Sequence, residues 1–187
     1  MLSMVNDRKG DYIGTFTGKK FYPLDPRPED VCLEDIAHSL SLINRFNGHT
    51  KSIYTVADHC INVEKYLILL GVNEKVRLHG LLHDASEAYI CDIPSPLKRM
   101  IPEYKAIEKA VQAAIIKFFW LTELSYWEEK MIKTADEYML AVEAKELMAN
   151  TADWNLMRVP QVEISPAYWN AKRLYIKKVL YLMKKVL

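Results

Sequence analysis

Apolar positions recur at helical spacing through most of the chain. Leu33, Ile36, Ala37, Leu40 and Ile43 make one stripe, with Asn47-Gly48 as its stop. Thr55-Val56-Ala57-Asp58 has the form of a capping box, with Asp standing in for Glu. A helix should therefore begin near Val56 and carry His59 in its first turns. Gly71 breaks that helix and Asn73 can cap the next. The next helix is expected to carry His83, Asp84 and Glu87, and must end before Pro94. Pro102 suits a first helical position and opens a helix to about Trp120. Ser125-Tyr126-Trp127-Glu128 is a capping box for a helix reaching about Met148. Pro160 and Pro166 bracket a loop, and residues 167–187 read as a final amphipathic helix.

Residues 1–30 are patterned differently. They are rich in Gly, Pro, Thr and aromatics, and Thr15-Phe16-Thr17 and Phe21-Tyr22 can pair around Gly18-Lys19 as a short β-hairpin. Pro23, Pro26 and Pro28 then punctuate an extended lead-in. The reading is an all-α fold: a helical bundle over residues 31–187, preceded by an N-terminal extension (1–30) that is a short hairpin or extended segment.

Composition narrows the picture. The 187 residues fit one domain, and a hydrophobic share of 50% allows a sizeable core without staples. Lys and Arg number 25 against 24 Asp and Glu, so nothing favours a general binder of nucleic-acid polymers. Cys32, Cys60 and Cys91 form no CxxC pair, which argues for a reducing compartment. The N-terminus lacks the apolar run of a signal peptide, and no stretch approaches the ~18 apolar residues of a membrane span. A cytoplasmic protein that does not enter membranes is expected.

The doublet His83-Asp84 lies within an apolar stretch, Gly80-Leu81-Leu82-His83-Asp84-Ala85. A buried carboxylate beside a buried imidazole is costly unless paired or metal-bound. A divalent ion takes roughly four to six ligands, and for hydrolytic ions these are mostly imidazole nitrogens and carboxylate oxygens. Adjacent residues of a helix point about 100° apart, so partners must come from other helices. His59 and Asp136, the latter in Lys133-Thr134-Ala135-Asp136, are the candidates.

The order His59…His83-Asp84…Asp136, all on helices, resembles the HD-domain superfamily of metal-dependent phosphohydrolases. Asn44-Arg45-Phe46 is similar to the Asn-Arg-Trp of its bacterial 5′-deoxynucleotidases (the YfbR type) and phage dATP triphosphohydrolases, with Phe46 in place of Trp. The loop from there to His59 is one residue shorter. Glu87, Asp92, Pro94, Pro96 and Lys98 fit the same branch. The resemblance spans residues 33–148.

It implies the following expectations. His59, His83, Asp84 and Asp136 bind a divalent metal (Mn, Co, Mg, Zn or Ni). Glu87 and Asp92 serve as acid/base groups beside it. Arg45, Lys98 and Lys133 bind phosphate, and Phe46 lies against the sugar or base. The implied reaction is hydrolysis of the 5′-phosphoester of a 2′-deoxynucleotide by metal-activated water, releasing phosphate from a monophosphate or triphosphate from a triphosphate. A homodimer or higher homo-oligomer is also implied.

Two other functions compete. One is a cyclic-nucleotide phosphodiesterase, disfavoured by Arg45-Phe46 and Asp92-Ile93-Pro94. The other is a non-catalytic nucleotide sensor, disfavoured by four intact ligands. His38 reads as a buried, hydrogen-bonded histidine and His49 as a loop residue near Arg45. His79, one turn before His83, has no ligand counterpart in the family. The basic C-terminal helix reads as docked through Leu174, Leu180, Tyr181 and Leu182.

Overall fold

The computed structural model describes residues 7–159, 164 and 169–187. The Pro160–Pro166 loop expectation and the start of the expected last helix fall outside them. The described chain is mostly helical. A two-stranded antiparallel ribbon, β1 (Ile13–Gly14) and β2 (Lys20–Phe21), precedes α1 (Leu33–Leu40), α2 (Val56–Leu69), α3 (Glu74–Leu81) and α4 (Glu87–Ile90). Then come α5 (Ser95–Lys98), α6 (Pro102–Phe118), α7 (Tyr126–Leu147) and α8 (Ala171–Val186). None of these helices is long and apolar enough to cross a membrane.

Local signals set most boundaries. The box at Thr55 is complete: the Asp58 N–H donates to Thr55 Oγ1, and Asp58 Oδ2 accepts from the Thr55 N–H. Gly71, at φ +68°, follows the last turn of α2 in the left-handed conformation that suits glycine. Asn73 caps α3 through the Val76 N–H. The Ser125 box opens α7 as expected, and Pro102 begins α6.

Three boundaries differ from expectation, each with a visible cause. Ile43 does not extend α1, which stops at Leu40; Asn44 instead bridges to Thr55, and Arg45–Gly48 forms a 3-10 turn. The hairpin exists, but Thr15–Thr17 are in its turn, because Asp35 accepts both the Thr17 N–H (2.7 Å) and its hydroxyl (2.9 Å). The helix expected to run through His83, Asp84 and Glu87 ends at Leu81. Leu82–Ser86 form tight turns closed by i to i+3 bonds (Ala85 N–H to Leu82 O, Glu87 N–H to Asp84 O). Gln112 of α6 stabilises this break: its amide donates to Leu82 O (2.8 Å) and accepts from the Ser86 N–H (3.2 Å). Two backbone groups that leave the helical ladder are thus satisfied by one side chain.

α2 lies at the centre, packed on α3, α7 and α8. One core cluster joins Ile36, Leu40, Ile61, Leu78, Leu81, Ile115, Tyr175 and Val179; a second joins Val63, Leu67, Val76, Ile132 and Met139. Gly80 permits the close approach of α3 to α2, since a Cβ there would collide with Leu67 Cδ1. The N-terminal segment is built into this core. Phe21 is fully buried and stacks on Tyr89 at 3.7 Å between centroids, and the Tyr89 hydroxyl accepts from the Cys32 N–H.

Candidate metal centre

Three elements converge beside the α3–α4 turn. The first turn of α2 supplies His59, the turn supplies His83 and Asp84, and the middle of α7 supplies Asp136. Donor atoms of His59, His83 and Asp84 lie within 4.8 Å of one another, so this group can hold a metal ion. His59 Nε2 is 3.2 Å from His83 Nε2 and 3.6 Å from Asp84 Oδ2. His83 Nε2 is 3.2 Å from the same oxygen. Asp136 Oδ1 completes the ring, 3.1 Å from His59 Nε2 and 3.8 Å from His83 Nε2. His59 is wholly buried, whereas the Asp84 and Asp136 side chains are 22% and 38% exposed, so the cluster opens to solvent on their side.

The outer nitrogens decide the tautomers. His83 Nδ1 meets Gly80 O at 2.8 Å, and a carbonyl can only accept. His59 Nδ1 meets Glu143 Oε1 at 2.7 Å. Burial alone would raise the pKa of Glu143, but His59 and Arg45 outweigh it and hold the carboxyl below its usual range. Both Nδ1 atoms therefore carry the hydrogen. In the neutral rings, both Nε2 lone pairs face one another and two carboxylates. That arrangement is repulsive without a cation between the groups.

Glu143, fully buried, is the hinge of the site. Its Oε1 also accepts from the Tyr54 hydroxyl (2.8 Å), which in turn accepts from Asn62 Nδ2 (2.9 Å). Its Oε2 lies 3.0 Å from Arg45 Nε, a charge contact not aligned as a hydrogen bond. Arg45 Nη1 is 3.7 Å from Asp84 Oδ2. Burial disfavours the guanidinium charge, yet Glu143 and Asp84 more than restore it. With both imidazoles neutral, Asp84, Asp136 and Glu143 set three negative charges against the one guanidinium of Arg45, leaving two over.

No family model matches the chain. It is 39% identical over 136 residues to the uncharacterized protein YfdR of Escherichia coli K12, covering 73% of this chain and 72% of that protein. The chain belongs to the YfdR family. A second relative, an uncharacterized protein of Rhodobacter capsulatus, is 34% identical over 137 residues, covering 70% of each. These names assign no chemistry, so the chemistry of a YfdR-family site is read from its own groups.

The remaining expected residues divide. Glu87, 4% exposed, opens α4 beside Asp84, and its Oε2 has no hydrogen-bond partner among the described residues. Burial, then Asp84 and Asp92, push its pKa well above the usual carboxyl range. Asp92 is half-buried and is shifted upward as well, by burial and then, against the pull of Arg45, by Asp84. Phe46 stands beside Arg45, whose Cζ is 5.5 Å from its ring centroid. Lys98 is turned to Glu108 at 2.5 Å. Lys133 does not join the cluster: it is 74% exposed on α7 and pairs with Glu137.

The other histidines lie elsewhere. His38 is half-buried rather than buried, and stacks on Phe16 at 3.7 Å between centroids. His49 is exposed, and His79 pairs with Thr122 O.

Glu143, Tyr54 and Asn62 were not anticipated from sequence. The signal for Glu143 was a lone acid within Ala141-Val142-Glu143-Ala144, seven positions after Asp136 and so on the same helical face.

Proposed function

We propose that this chain is a metal-dependent phosphohydrolase of the HD-domain type that cleaves the 5′-phosphoester of 2′-deoxynucleotides. One observation carries the reading: two anchored imidazoles turn their Nε2 lone pairs toward each other at 3.2 Å, between Asp84 and Asp136. His59, His83, Asp84 and Asp136 would hold the ion, and its two charges would match the surplus of negative charge. A divalent ion there supplies a Lewis acid and makes water acidic enough to ionise near neutral pH.

The chain's own groups do the rest. Arg45, steadied at Nε by Glu143, directs its remaining N–H groups to non-bridging phosphate oxygens. Glu87 holds a proton in its buried, neutral carboxyl. It gives that proton to the sugar 5′-oxygen as the P–O5′ bond breaks and water oxygen bonds to phosphorus. Asp92, nearer solvent, takes the proton that the water loses. Phe46 offers an apolar ring where a ribose 2′-hydroxyl would be left unpaired, which favours deoxyribose. Lys98 adds positive potential from its pair with Glu108.

The test is a panel of the four dNMPs and four dNTPs with Mn²⁺, Co²⁺ or Mg²⁺, with and without chelator. Metal-dependent release of phosphate or triphosphate is expected. No release from any nucleotide would sink the reading.

A further inference from the structure

Trp154 was singled out by no motif, yet it meets Phe46 at 6.2 Å between centroids and 42° between planes. The chain goes to some expense to place this pair. Phe46 and Asn47 sit at φ +52° and +51°, the left-handed region. Asn tolerates that region, but an aromatic residue is strained there. The turn is closed by the His49 N–H on Phe46 O and the Arg45 N–H on Tyr54 O. Lys51 then ties this loop to the end of α7, through its N–H to Leu147 O and its Nζ to Glu146 O. The segment leaving α7 reaches Trp154, whose N–H closes a turn on Thr151 O. Two loops distant in sequence are thereby held ring against ring.

The position of the pair matters more than its packing. Arg45 touches the cluster through Asp84 and the aromatic pair through Phe46. A phosphate gripped by Arg45 therefore has the ion-binding cluster on one side and the rings on the other. Trp154 remains 41% exposed, which leaves ring surface free. Resting on the reading above, we propose that Trp154, backed by Phe46, is the wall on which the base of the deoxynucleotide stacks. Trp154 is thus a substrate-binding residue that sets affinity for the base and takes no part in the bond cleaved. Stacking uses a ring face that every base has, so the wall tolerates all four bases.

The experiment compares wild type, Trp154→Ala and Trp154→Phe on the deoxynucleotides and on 2-deoxyribose 5-phosphate, which has the same ester and no base. Base stacking on an aromatic residue is worth roughly 1–3 kcal/mol, so Trp154→Ala should raise nucleotide KM about tenfold with kcat nearly unchanged. The sugar phosphate should be unaffected, and Trp154→Phe should recover most of the loss. Equal losses on both compounds, or no loss on either, would overturn the wall. If wild type hydrolyses nothing, the phosphohydrolase reading has failed, and the wall is judged by binding alone. Quenching of tryptophan fluorescence by 2′-deoxynucleosides in wild type, absent in Trp154→Phe, would support it. The same quenching in both proteins, or none in wild type, would refute it.

Discussion

Two buried carboxylates leave the same bundle with opposite consequences. Glu64, on α2, is fully buried and completely matched. Arg77 of α3 grips one oxygen (Nε at 3.0 Å, Nη2 at 2.5 Å) and Lys178 of α8 takes the other at 2.5 Å. Its charge is spent on joining three helices. Glu143 is equally buried, but each of its oxygens serves a group with a second duty: His59, which faces the cluster, and Arg45, which faces Asp84. The donors on Glu64 lead no further; those on Glu143 lead on to Asp84 and Asp136, where, with neutral imidazoles, carboxylates outnumber the one guanidinium. A closed charge network stabilises a fold at best modestly, whereas an open one has to be completed from outside.

The largest break in this comparison comes from Glu87. Glu87→Gln keeps the shape and removes the proton that the buried carboxyl holds. A fall in kcat of roughly 10²- to 10⁴-fold is expected, with metal affinity unchanged by calorimetry. Glu143→Gln is next. The amide keeps acceptors for His59 and Tyr54 but loses the charge facing Arg45. Groups that orient a metal-bound histidine are typically worth 10- to 100-fold in metal affinity, and a loss in that range is expected. Arg77→Ala is the control on the closed network. It should lower stability by about 3 kcal/mol in chemical denaturation, because Glu64 loses a partner, while kcat per folded molecule stays within about twofold. A large loss of kcat in folded Arg77→Ala would erase the distinction between the two networks.

The fold was legible where the signal was local. The boxes at Thr55 and Ser125, the cap at Asn73, the stop at Gly71 and the start at Pro102 all appear where the residues place them. It was illegible where a distant side chain decided. Gln112 breaks the helix before His83, and Asp35 turns Thr17 out of its strand; neither is a neighbour in sequence. The site follows the same rule. His59, His83, Asp84 and Asp136 could be marked by spacing and resemblance, and the structure brings them together. Lys133 could not be placed by helical phase alone, because one turn along α7 already reaches solvent. Glu143 had only the faint signal of a lone acid in phase with Asp136, and Trp154 had none; their roles depend on contacts with the Arg45–Tyr54 loop.

The central claim is that the two facing imidazoles wait for a cation. Burial works against protonating either ring. Nevertheless, the carboxylates around them hold both pKa values above the ordinary imidazole value, and that of His83 well above it. The metal-free site therefore holds protons more tightly than free imidazoles do, and an incoming ion must displace them. Calorimetric titration of chelator-stripped protein with Mn²⁺ or Co²⁺, from about pH 6 to about pH 8 in buffers of different ionisation heat, measures this directly. The expected result is one ion per chain, protons released on binding, and affinity that climbs with pH. Absence of binding, or binding that releases no protons and ignores pH, would contradict the metal centre.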